Sequence, residues 1–228
     1  KNVPVYYTAG QTLWHNAFML ICGLIFFFLI APLMPVMWLS FNAQDFFTFT
    51  PEMLNFEAAD YSLKHYRNFL TTEEWMIPLK NSLIIAPIAT VISVSLGTLA
   101  AIGLSQSHVP ARRAIMAILI SPMIVPLIIS ATGMFFFYAP LGNWIELNLG
   151  LSQTFVGYVK VILAHAVLGV PFVIITVTAT LVGFDNSLTR AAANMGANPV
   201  TTFFRVQMPL ILPGVISGGL FAFITSFD

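Results

Sequence analysis

His165 and Ser217 are the two side chains whose types could act as base and nucleophile, and both fall inside long apolar runs. An acyl-transfer site needs such a pair within hydrogen-bond reach, and nothing in the spacing brings them together. Ser217 stands in Ser-Gly-Gly, where small residues serve close helix packing. An ionisable group inside a membrane segment is a functional candidate by default. His165 therefore has two readings, a neutral imidazole bonded to a neighbouring helix or a group on a transport path. Asp228 ends an apolar run, where a carboxylate is costly unless it faces water, a partner or a cation. Other chemistry is excluded by pattern. There is no G-x4-G-K-[ST], and Lys80 and Lys160 lack the glycines that would cradle a phosphate. H-E-x-x-H and G-x-S-x-G are absent, and four scattered histidines give no metal-ligand spacing, so no metal site is expected. The lone cysteine, Cys22, allows no internal disulfide and is a small apolar filler.

The elements that must position these residues are apolar helices. The 228 residues are 58% hydrophobic and 8% charged, with a mean hydropathy of +0.87. Soluble domains carry about a quarter charged residues. The charges cluster, leaving five charge-free windows that each hold the roughly 20 apolar residues a spanning helix needs. Spans are predicted at about 17–40, 82–106, 114–138, 160–182 and 209–227. The runs are continuous rather than alternating, which disfavours a membrane barrel. The first run is longer than a signal-peptide core and lacks a small-x-small cleavage pattern, so it is read as a retained span kinked by Pro32 and Pro35. Residues 41–80 are expected to form an outer loop holding one short helix, its acidic excess either steering a cationic solute or a binding protein or merely solvating a lid. Phe135 to Tyr138 reads as an interfacial aromatic belt ending the third span, with a loop and short surface helix over Leu141 to Lys160. Net charge is zero and no basic run is present, so nucleic acid is not an expected partner. Arg112-Arg113, Arg190 and Arg205 put positive charge on alternate connections, which places those connections and the N-terminus in the cytoplasm.

Ser187 to Pro213 is the polar interval between the last two spans. Ser187 can cap a helix in which Leu188, Ala191, Ala192 and Met195 recur at i, i+3, i+4 and i+7. Gly196 then stops it, and Asn198-Pro199 supplies a cap and first-turn proline for a second helix lined by Val200, Phe203 and Phe204. Pro209 and Pro213 are expected to bend the chain into the next run. A helix of about eight residues is marginal alone, so a partner surface is expected.

The spacing Ala191-Ala192, Gly196 and Val206-Gln207-Met208-Pro209 resembles the E-A-A-x3-G-x9-I-x-L-P loop of permease subunits of type I ABC importers. Four positions match, Val206 and Met208 are conservative, and Arg190 stands where the family has glutamate. Asn81-Ser82-Leu83, His165 to Phe172, Gly183-Phe184-Asp185 and Ser226-Phe227-Asp228 extend the likeness to the spermidine/putrescine branch. The resemblance implies an all-α permease fold with a sixth span beyond Asp228. It implies that residues 184–208 form a cytoplasmic coupling loop, with Leu188, Arg190, Ala191, Ala192, Met195, Gly196 and Ala197 docking on an ATPase subunit. It implies two such ATPase subunits carrying ATP and Mg, a second homologous permease, a soluble substrate-binding protein and a bacterial inner-membrane location. No cofactor is expected on this chain. Asp228, beside the path in that branch, is expected to contact a cationic solute, with His165 the second path candidate. The rival classes are an ion-gradient transporter working alone and an intramembrane hydrolase.

Overall fold

The computed structural model describes residues 8–105, 109–185 and 187–227. The chain divides into two compact units, residues 1–76 and 77–228.

In the first unit, α1 (Ala9–Ile30) starts at Thr8, which forms a reciprocal capping box with Gln11. It breaks before Pro32, which has no N–H to continue the ladder, and resumes as α2 (Leu33–Leu39) with Pro35 inside it. Neither helix has a buried residue. Their apolar surface is outward on all sides, as in a helix solvated by lipid. Residues 41–72 carry more structure than the expected loop with one short helix. They hold α3 (Pro51–Leu54), a 3-10 turn (Ala58–Asp60) and α4 (Lys64–Thr71), tied by an antiparallel bridge between Asn42 and Tyr61.

Then α5 runs from Glu73 to Ser105, starting well before residue 82. Glu73, Glu74 and Lys80 interrupt the apolar run by which the start was placed, yet acids in a first turn favour a helix. The second unit continues with α6 (Arg112–Ile124), α7 (Leu127–Leu149) and α8 (Gln153–Val182). The expected third span, 114–138, is split between α6 and α7. Val125 is extended, as the residue before Pro126 must be to avoid its ring. The expected loop with a short helix over Leu141 to Lys160 is reduced to a connection at residues 150–152. Residues 141–149 complete α7, Gly150 closes it at φ 64°, and α8 begins at Gln153. Phe135 to Tyr138 consequently lie mid-helix, not at its end.

The polar interval forms α9 (Ser187–Asn194) and α10 (Pro199–Thr202), then one π-helical turn (Phe203–Gln207) that leads unbroken into α11 (Met208–Phe227). Pro209 was expected to bend this junction. The π turn accommodates it: Met208 N–H reaches back to Phe203 O, widening the ladder where proline can donate no bond. Among the described residues, five segments are long and apolar enough to cross a membrane: Ala9–Leu39, Glu73–Ser105, Leu127–Leu149, Gln153–Val182 and Pro199–Phe227. This is an all-helical, multi-pass membrane protein with the expected number of spans.

The core of the second unit is where α5, α8 and α11 meet, around Ala101, Val173, Val177, Ile211, Val215 and Ala222. Small residues let the backbones approach. A Cβ on Gly97 would lie 2.7 Å from the Val173 Cβ, and one on Gly218 would lie 2.7 Å from the Val173 Cα. Ser93 Oγ, buried, donates across to Ala166 O at 2.9 Å as well as to Ala89 O.

Candidate functional site

The corner between the last two spans is built by local chemistry. Ser187 was expected to cap α9, but it is the first helical residue and donates to the side chain of Asp185 two positions before it. The Asp185 carboxylate accepts from Ser187 N–H at 2.8 Å and from Ser187 Oγ at 2.6 Å. Those two hydrogen bonds, and more weakly the Arg190 charge, hold the Asp185 carboxyl below the ordinary carboxylate range. At the other end Gly196 takes φ 84°. Gly196 N–H bonds to Ala193 O and Ala197 N–H to Ala192 O, the paired closure of a Schellman motif. Asn198 then caps α10 through Thr201 N–H at 2.8 Å, with Pro199 in its first position.

Of the expected docking residues, Leu188, Arg190, Ala191, Met195 and Gly196 are exposed, and Ala197 is half-buried. Met195 shows 82% of its surface, while Ala192 keeps 3%. Ala192 therefore serves the packing of α9 on α10 and the π turn. The outward apolar residues are Leu188, Met195, Val200 and Phe204.

His165 and Ser217 are not a catalytic pair. Ser217 Oγ donates to Pro213 O of its own helix and is exposed. Gly214 and Gly218, not Ser217, make the close approach to α8. The His165 Nδ1 lies 2.8 Å from Ser226 Oγ and 3.1 Å from Ser226 O, linking α8 to the last turn of α11. Asp228 lies outside the described residues.

His165 also borders a cavity of about 470 Å³ between α7 and α8, with Tyr138, Phe135 and Lys160. Lys160, half-buried, packs directly over Gly142. Apart from His165, this face of α8 had no expected role. Its signal was the spacing Gly157, Lys160, Val161, Ala164, His165 and Leu168, all of which line the cavity at i, i+3, i+4, i+7, i+8 and i+11. Among the described residues, no three of His, Cys, Asp and Glu converge on a metal-sized point.

Residues 93–228, more than half of the chain, match the family described as the binding-protein-dependent transport system inner membrane component. The chain belongs to that family. It is the permease component of an ABC importer, and the match runs from Ser93 within α5 through the corner and α11. Among its relatives is the putrescine transport system permease protein PotI of Escherichia coli K12, 28% identical over 89% of this chain and 68% of that protein. The spermidine/putrescine transport system permease protein PotC of Haemophilus influenzae is 26% identical over 93% of this chain and 74% of that protein. The molybdenum transport system permease protein ModB of Mycobacterium tuberculosis is 30% identical, over 69% of this chain and 60% of that protein. In fold, the chain is similar to a bacterial ABC transporter involved in the import of the acidic polysaccharide alginate. That similarity has a TM-score of 0.61 at 17% identity, covering 98% of this chain and 74% of that one.

Proposed function

We propose that this chain is one of two membrane subunits of an ATP-driven importer of polyamines or a related small cationic solute, and that its corner is gripped by a cytoplasmic ATPase subunit. The observation that carries the docking role is the exposure of Leu188, Met195, Val200 and Phe204 on a rigidly closed corner. An eight-residue helix does not sustain itself by its own hydrogen bonds, and this one is held from both ends in a fixed attitude. ATP and Mg bind on the partner subunits. Their closure moves the corner, and because α10, the π turn and α11 form one unbroken helical run, displacement passes straight into a core helix. A soluble binding protein supplies the solute at the opposite face, and a second permease completes the path. The location is the bacterial inner membrane, with the N-terminus and the Arg112-Arg113 and Arg190 connections in the cytoplasm.

The polyamine class is supported by the substrates in the names of PotI and PotC. Lys160 would repel a polycation in the α7–α8 cavity, so the solute path is proposed on the Ser226 side of His165, where the chain goes on to Asp228. The docking role is tested with Met195→Cys in a Cys22→Ser background. A membrane-impermeant maleimide should label position 195 rapidly in the chain without its ATPase subunits and much more slowly in the assembled complex. Equal labelling in both states overturns the docking assignment. Asp228→Asn should raise the apparent KM for spermidine uptake, and unchanged uptake at unchanged affinity removes Asp228 from the path.

A further inference from the structure

The charges of the segment after α2 suggest a solvated lid or an acidic lure. Its surface has a different character. Asn42, buried to 1% exposure, fastens the loop that follows: its Nδ2 donates to Thr48 O at 2.8 Å and Phe46 O at 3.3 Å, while its Oδ1 accepts from Gln44 N–H at 2.7 Å. An ion pair between Lys64 and Asp45 at 2.8 Å and a contact of 3.0 Å between His65 Nε2 and Gln44 O hold the loop against α4. On this fixed loop Phe46 and Phe47 stand 75% and 71% exposed. Two phenylalanines displayed by an ordered turn, rather than folded onto it, need an apolar medium of their own.

The helix α4 repeats the pattern. Tyr66, Phe69 and Leu70, with Leu63 just before, lie at i, i+3, i+6 and i+7 on one face and are all exposed. Lys64, His65, Arg67, Asn68 and Thr71 occupy the other face. This helix is joined to the end of the first span. Tyr66 Oη is 2.6 Å from the Oγ of Ser40, the residue that ends α2, and the Tyr66 ring lies 5.4 Å from Phe41. The loop folds back on the same place: Phe49 meets Trp38 edge-on at 5.5 Å and Phe56 stacks on Trp38 at 5.6 Å. Trp38 Nε1 donates to Tyr61 Oη at 2.7 Å. The exposed aromatic surface is thus continuous with the last turn of a helix that crosses the bilayer.

We infer that residues 41–71 form a membrane-interfacial collar, in which Phe46, Phe47 and the Tyr66–Phe69–Leu70 face of α4 lie in the phospholipid headgroup region on the side where α2 ends. The occupant is lipid because the collar is anchored at the level where the span leaves the hydrocarbon. Trp and Tyr with one wet and one apolar end are the side chains that level selects, and a short amphipathic helix with a cationic far side is the form that lies in it. The collar would fix the tilt of the first span and keep the acidic residues Glu52, Glu57 and Asp60 close to the membrane surface.

The test is independent of transport. In the Cys22→Ser background, nitroxide labels are placed singly at Phe46→Cys, Phe47→Cys and Leu70→Cys, with Glu57→Cys and Asn68→Cys as water-facing controls. The full chain in its purified complex is set in phosphatidylcholine and phosphatidylglycerol nanodiscs, and collision with oxygen is compared with collision with a water-soluble nickel chelate. The oxygen-to-nickel ratio at 46, 47 and 70 is expected to exceed that at 57 and 68 about tenfold, with or without the soluble binding protein. Ratios equal to the controls overturn the collar. So does protection from both reagents that appears only when the binding protein is added, because the face then belongs to a protein. Three separate label sites keep the test decisive if one variant fails to assemble, and a complex that lacks import activity still reports the depth of its labels.

Discussion

Gly196 offers the sharpest test of how the corner works, because an added side chain there meets nothing. A Cβ at Gly196 has no heavy atom within 4 Å, so substitution costs only what the backbone charges for φ 84°. For an ordinary L-residue the left-handed conformation costs roughly 1–2 kcal/mol, which is about a 5- to 30-fold loss in the population of the closed corner. Asparagine tolerates this region and should lose least, alanine should lose the stated amount, and β-branched valine should lose more. The readout is hydrogen exchange of the amides at Gly196 and Ala197, whose partners are Ala193 O and Ala192 O. Exchange should quicken in the order Asn, Ala, Val in the chain freed of its ATPase subunits. In proteoliposomes the same order should appear as falling solute uptake per ATP hydrolysed. A Gly196→Val protein with native exchange and native coupling would refute both the strain and the role assigned to the corner.

The remaining expectations concern packing, the cap and the surface charge. Gly218→Ala places a methyl 2.7 Å from the Val173 Cα and against Thr176 Oγ1; backbone cannot step aside, so a loss of about 1–3 kcal/mol should appear as a lower melting temperature in detergent. Ser93→Ala removes the α5–α8 hydrogen bond to Ala166 O and should cost about 0.6 kcal/mol, the usual scale inside a bilayer, measured by the same melt. Asp185 has a lowered pKa, so its stabilisation of α9 is full above the ordinary carboxylate pKa and is lost as pH falls through the folded value. The protection of the Ser187 amide, relative to an unstructured amide at the same pH, should therefore fall only in acid, and Asp185→Ala should abolish that pH dependence of the protection. Arg190→Glu restores the residue of the resembled loop at an exposed site; ATPase docking that is unchanged or tighter would mean the arginine makes no required contact, whereas weaker docking would show that this chain's partner reads the arginine.

Much of the corner was legible because its chemistry is between near neighbours. Gly196 after a periodic run, and Asn198 before Pro199, state their conformations in two or three residues, and the backbone adopts them. The role of Ser187 at the start of α9 was not legible, because serine and aspartate both suit a helix N-terminus; only the backbone shows that Ser187 N–H donates to the Asp185 side chain. Span number followed from composition, since a hydrocarbon layer about 30 Å thick demands runs of about 20 apolar residues whatever their packing. Span limits did not. Helices continue through charged or aromatic residues, as α5 does from Glu73 and α7 does to Leu149.

What residue order could not decide was partnership across distance. The bond between His165 and Ser226 joins residues 61 apart, and Ser93 to Ala166 joins residues 73 apart. Both depend on which faces of α5, α8 and α11 meet, and that is decided by the backbone approach that Gly97, Gly169 and Gly218 permit. The amphipathic face of α4 was present in the sequence, but its height was not. A period of 3.6 marks a face, whereas its level relative to the bilayer comes only from the contacts of Tyr66 with Ser40 and Phe41. Local propensity and hydropathy act over a few bonds and a fixed membrane thickness, and so can be read along the chain; helix-to-helix register is a collective outcome of packing in three dimensions.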